Sequence, residues 1–221
     1  MMIMIIYALI TIAIFGMWYY ARYEGNFLPS PKKTFNPMMI VAIVILVPGT
    51  QFAANFIANL TGYIRPDWLQ QYNELFETSG ITDTTFVTVL YSVILAPICE
   101  ELIFRGVTMR CARKALPFAL ANLMQAALFG LFHLNWIQGI YAFALGIVLG
   151  YVCARGGSIY YSMGLHLLFN LWGTLSGFFP DPGNSVVVFV VVIVVTIVSL
   201  VAGFVLFNKG RRKLPINSTG I

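Results

Sequence analysis

The chain is 221 residues long, 59% hydrophobic and only 10% charged, with a mean hydropathy of +0.84. A soluble domain carries about 25% charged residues, so this composition excludes an ordinary globular protein and leaves no length for a separate soluble domain. A formal charge of +5 would suggest nucleic acid in a soluble chain; here it reads as charge in cytoplasmic loops, and no nucleic-acid partner is expected.

A membrane-spanning helix needs about 20 mainly apolar residues, and seven such runs follow one another. The first, 1–20, lacks the basic flank and small-residue cleavage site of a signal peptide, so a retained helix is expected. Trp18, Tyr19 and Tyr20 at its end, with Trp136 further on, read as interfacial aromatics. The second run, 35–60, contains Pro48-Gly49, where a kink is expected. Residues 61–82 form the one substantial loop, read as a short amphipathic helix on the outer surface. The third run is 84–109, the fourth 117–135 and the fifth 139–154, with Ala142, Gly146 and Gly150 at four-residue spacing. Small residues so spaced let helix backbones approach in a membrane. The sixth run is 159–179. The seventh, 186–207, is rich in valine, yet a lone segment in lipid is viable only as a helix.

The expected fold is therefore all-α: one integral membrane domain, 1–221, ending in a short basic tail at 208–221. Basic residues alternate with the runs. Arg22, Lys32 and Lys33 follow the first, Arg110, Arg113 and Lys114 the third, Arg155 the fifth, and Lys209, Arg211, Arg212 and Lys213 the last. The positive-inside rule then places the N-terminus outside and the C-terminus in the cytoplasm of a cell membrane. Cys99, Cys111 and Cys153 are an odd number without framework spacing and read as buried free thiols.

Against this apolar background the ionisable residues stand out. Glu100 and Glu101 lie side by side in the third run, with Arg105 one turn on; the only two histidines, His133 and His166, lie in the fourth and sixth. A carboxylate at the bilayer centre costs about 2.5–3.5 kcal/mol even on the mild insertion scale, so such groups face a partner or a cavity. Glu101 and Arg105 are at i and i+4 with the acid first, the favourable order for an ion pair. Phe129 and His133 share one helical face, as do His166 and Asn170. Glu100 and His133 each lie about 24 Å from a turn at Leu116-Pro117, at matching depth; His166 falls roughly 7 Å from that level, to be absorbed by tilt.

At these residues the chain resembles the CAAX-protease and bacteriocin-processing family of intramembrane proteases. Its three motifs stand as Glu100-Glu101-Leu-Ile-Phe-Arg105, Phe129-Gly-Leu-Phe-His133 and His166-Leu-Leu-Phe-Asn170, within a core of about 87–179. The resemblance implies that Glu100 and His133 activate a water for attack on a peptide carbonyl. It implies that His166 and Asn170 hold the oxyanion, and that Arg105 pairs with Glu101. It also implies a peptide or membrane-protein substrate, either a prenylated CAAX-type or a bacteriocin-type peptide, met among membrane lipids. No cofactor is expected. The alternative is zinc on Glu100, His133 and His166, although the HExxH helical ligand pair is absent. Two other functions compete: a proton- or ion-coupled transporter using the acidic and histidine side chains as a relay, and an inactive scaffold or bacteriocin-immunity protein.

Overall fold

The computed structural model describes residues 2–21, 35–79, 85–176 and 185–210. Among them there are helices and no strand. In chain order these are α1 (Met2–Tyr19), α2 (Pro37–Ile64), α3 (Pro66–Ser79), α4 (Phe86–Ala112), α5 (Phe118–Phe132), α6 (Trp136–Gly156), α7 (Ile159–Ser176) and α8 (Val186–Gly210). Five of them, α1, α2, α4, α6 and α8, are long and apolar enough to cross a membrane. The shorter apolar α5 and the 18-residue α7 occupy the two remaining expected spans. The chain is an all-α, polytopic membrane protein.

The amphipathic helix expected in 61–82 is α3, although α2 runs on to Ile64 before it begins. Pro66 suits the first helical turn, where its missing N–H is no loss, and Asp67 sits in that same turn. Trp68 stacks on Trp136 at the start of α6, ring centroids 5.2 Å apart. Tyr72 is hydrogen-bonded to Tyr141, and burial pushes its phenol up from the ordinary tyrosine range. The apolar face of α3 is thus laid over the N-terminal half of α6.

The centre of the bundle is α2, which packs against α6, α7 and α8. Pro48 stays inside α2. One residue later the Ser199 hydroxyl of α8 accepts the Gly49 N–H at 2.9 Å and itself donates to the Ile45 carbonyl. A side chain inserted into the hydrogen-bond ladder is a recognised cause of helix bending. A Cβ at Gly49 would come within 2.8 Å of that hydroxyl, so glycine makes the insertion possible.

Close approach recurs where α5 meets α6. A Cβ on Gly146 would lie 3.1 Å from Ala126, and one on Gly150 would overlap Asn122 Oδ1 at 1.8 Å. The small-residue spacing therefore serves the α5–α6 contact. Two expectations need correction. Tyr19 is not an interfacial aromatic facing outward: it is 6% exposed, and Arg110 Nη2 donates to its hydroxyl at 2.7 Å. Cys111 is exposed, because it lies at the end of α4, whereas Cys99 and Cys153 are buried; all three thiols are free. The loop basics Arg22, Lys32 and Lys33, and tail residues 211–221, lie outside the described residues.

Candidate active site

The Glu pair sits on a helix that changes its winding on both sides of it. Within α4, Leu90–Leu95 and Leu102–Met109 are π-helical, and the α-helical turn Ala96–Glu101 lies between them. Single-turn widening of this kind is concentrated at functional sites. The first π-helical stretch ends two residues before Pro97. The Ala96 N–H bonds back to Tyr91 O in the π register, so the next carbonyl, Ser92, points to residue 97. Pro97 has no N–H to give. Asn170 of α7 takes that place, its Nδ2 donating to Ser92 O at 2.8 Å.

Glu101 and Arg105 are fully buried and joined at 2.8 Å, Nη1 to Oε1, as their i, i+4 spacing predicts. The same Oε1 accepts from His166 Nδ1 at 3.0 Å. A carboxylate can only accept here, so this nitrogen carries a hydrogen. The other ring nitrogen of His166, Nε2, lies 3.5 Å from Glu100 Oε2. One imidazole, 2% exposed, therefore sits between the two neighbouring carboxylates. Glu100 is the more open of the pair, with 15% of its side chain exposed.

Phe129 ties the second histidine to this cluster. Its ring meets His166 edge-on at 5.7 Å and His133 at 5.0 Å, with the Arg105 guanidinium 4.5 Å above its face. The apparent depth mismatch between the histidines is bridged by this one ring. His133 itself is not inside a helix, as the fourth run suggested, but at the C-cap of α5. The chain must turn within three residues: Leu134 takes a left-handed φ of 57° and Asn135 caps α6, accepting the Gln138 N–H at 2.7 Å. A leucine in that region is strained by about 1–2 kcal/mol, and such strain collects at functional sites. His133 Nδ1 lies 2.8 Å from Phe129 O; the carbonyl only accepts, which leaves the Nε2 lone pair free.

Several polar contacts here escaped the sequence reading. Gln125 and Asn122 of α5 and the carbonyls of Gly146 and Ser92 all touch the cluster or its supports. For the two amides a signal existed, since they are polar residues in an apolar run; for the carbonyls no side-chain pattern could give one. Glu101 Oε2 and Arg105 Nε are buried without a hydrogen-bond partner among the described residues.

Zinc would need histidine lone pairs turned towards one point. His166 has both nitrogens turned to carboxylates, and His133 Nδ1 is engaged by a carbonyl. Among the described residues no three His, Cys, Asp or Glu side chains gather as a metal requires. Of the two histidines, only His133 keeps an uncommitted ring nitrogen, its Nε2.

No curated protein and no solved structure matches the chain. Residues 82–172, which hold all three motifs and every side chain of the cluster, match the family described as type II CAAX prenyl endopeptidase Rce1-like. Over this stretch the chain is similar to a CAAX-type intramembrane protease family.

Proposed function

We propose that the protein is an endopeptidase that hydrolyses peptide bonds within the membrane, using Glu100 and His133 to activate a water molecule. The observation carrying this reading is the packing of His166 between Glu100 and Glu101, with His133 one aromatic ring away. Glu100, the more open carboxylate, takes the water's proton as general base, a role worth about 10²–10⁴ in rate. His133, with its Nε2 lone pair free, holds the same water in line. The hydroxide attacks the peptide carbonyl, and Glu100 returns the proton to the departing amine.

Charge developing on the carbonyl oxygen needs donors aimed at it. The second Nδ2 hydrogen of Asn170 supplies one, and His166, whose Nε2 faces Glu100 at 3.5 Å, stands beside it as the other; one such donor contributes about 3–4 kcal/mol to kcat. The chemistry is metal-free in this reading, which rests on the described residues bringing no three His, Cys, Asp or Glu side chains together as a metal requires.

A peptide or membrane protein is the substrate class. A partly open apolar groove of about 520 Å³, lined by Leu131, Leu134, Trp136, Ile140 and Phe143, is formed by chain neighbours of His133 and the first turns of α6. It suits a lipid tail attached near the scissile bond, so a lipidated cysteine peptide is the preferred substrate. The core at 87–179 does the chemistry in a single domain 1–221, with the N-terminus outside the cell membrane and the 208–221 tail in the cytoplasm.

The test is cleavage of a peptide library, with and without a farnesylated cysteine, by purified protein in detergent. Wild type cleaves, and Glu100→Ala and His133→Ala each lose at least about a hundredfold in kcat. Undiminished turnover in both variants ends the proposal.

A further inference from the structure

The polar chain that begins at Glu100 does not stop at Arg105. Arg105 Nη2 donates to the carbonyl of Gly146 in α6 at 3.3 Å, and Gln125 Nε2 of α5 donates to that same oxygen at 2.9 Å. Gln125 is wholly buried and is itself fixed: its Nε2 also reaches Asn122 Oδ1 at 2.8 Å, while Asn122 Nδ2 donates to Ile147 O at 3.0 Å. Space for the two amides comes from Gly150, where a Cβ would stand 1.8 Å from Asn122 Oδ1 and 2.7 Å from Gln125 Nε2.

A guanidinium is a rigid planar fork, and one contact at one of its tips leaves it free to pivot. Here Nη1 is fixed by Glu101, while the second anchor is the longer bond to Gly146 O. Gln125 holds that oxygen where Arg105 needs it. On α5, Gln125, Phe129 and His133 follow at successive i+4 steps and share a face. The first shares the carbonyl that Arg105 uses, the second lies under the guanidinium, and the third is the histidine at the helix cap. The stripe therefore registers α5 against α4 through Arg105, and so fixes His133 relative to the Glu pair.

The geometry points to Gln125, backed by Asn122, as a positioning residue for the Glu100–Glu101–His166 cluster, acting through Arg105; for its effect on turnover this rests on the peptidase reading above. Gln125 touches no reacting atom. Its amide clamps the far anchor of Arg105, which orients Glu101, which in turn orients His166.

Two measurements test this on the full-length protein in detergent. The first reads positioning without any substrate: nitrogen-edited NMR of the arginine side chains, with the Arg105 signal assigned by its loss in Arg105→Lys. In wild type the Arg105 guanidinium protons are resolved and slow to average; in Gln125→Met, which keeps the volume and loses the amide, they average. The second reads turnover of the cleaved peptide. Gln125→Met lowers kcat about tenfold or more with KM within about twofold, as misplacement of a catalytic group does. In an Arg105→Lys background the same change adds little, because a residue acting through another is coupled to it. Asn122→Leu gives the same pattern in weaker form and stands in should Gln125→Met not fold. An unchanged Arg105 signal in a folded variant, or a kcat loss that multiplies fully with that of Arg105→Lys, overturns the inference. A wild type that cleaves nothing overturns the peptidase reading instead, and the NMR result still decides whether Gln125 positions Arg105.

Discussion

Asn170 donates to the carbonyl of Ser92 at 2.8 Å, and that carbonyl is the one Pro97 cannot serve. The relationship joins a residue of the third motif to a defect in the helix that bears the first. One hydrogen of the amide is thus committed to structure, and the other stays available for the oxyanion role proposed for it.

A double-mutant cycle follows from it. Asn170→Ala strands the Ser92 carbonyl and costs about 1–2 kcal/mol of stability, the usual penalty for a buried acceptor left unpaired. Pro97→Ala supplies an N–H in the position the carbonyl expects. In the Pro97→Ala background the stability cost of Asn170→Ala shrinks to a few tenths of a kcal/mol, as coupled sites require, while the loss of turnover persists. Thermal unfolding and peptide cleavage on the four proteins separate the two roles. An equal stability cost in both backgrounds contradicts the capping account.

The Glu101–Arg105 pair gives a second cycle. Removing either partner leaves an uncompensated charge in a fully buried site, at a cost of about 3–5 kcal/mol. Replacing both, as Glu101→Leu with Arg105→Met, costs less than either single change. It does not become neutral, since the His166 Nδ1 hydrogen then loses its acceptor. Unfolding midpoints of the three variants check the order. A double variant less stable than both singles shows that the pair is not what holds the charges.

How much of this was legible in the chain divides by the kind of force involved. The helices were, because lipid demands long apolar runs with internally satisfied backbones, and each expected span has its helix. The Glu101–Arg105 pair was, because i, i+4 geometry is local. Contact of His166 with both carboxylates was only half legible: the residues advertise themselves by their cost in lipid, but their meeting depends on tertiary placement. The two π-helical stretches, the turn that puts His133 at a helix cap, and the inward rotation of Tyr19 were not. Each depends on what a neighbouring helix offers, such as an amide at Ser92 or an arginine at Tyr19, and no period in the sequence encodes that.

Chelation tests the metal question from the geometry of the histidines. With His166 spanning two carboxylates and His133 tied to the Phe129 carbonyl, cleavage after prolonged incubation with EDTA or 1,10-phenanthroline stays within about twofold of the untreated rate. No three His, Cys, Asp or Glu side chains among the described residues gather as a metal requires. A rate that collapses on chelation and returns with added zinc, and with no other treatment, would replace the metal-free reading.

Two glycines predict opposite responses to one methyl group. An interior helical glycine changed to alanine gains about 0.5–1 kcal/mol when nothing obstructs the new Cβ. At Gly164 of α7 nothing lies within 4 Å of that position, so Gly164→Ala raises the unfolding midpoint. At Gly150 the methyl would fall 1.8 Å from Asn122 Oδ1 and 2.7 Å from Gln125 Nε2, and relief requires both amides to swing away. Overpacking of this kind costs about 1–3 kcal/mol, which outweighs the gain in helix propensity. Gly150→Ala therefore lowers the midpoint. If Gln125 positions Arg105, the same methyl lowers kcat as well, without the protein losing its fold. A Gly150→Ala variant as stable as Gly164→Ala would mean that α5 and α6 do not meet at the distance that brings Gln125 to Arg105.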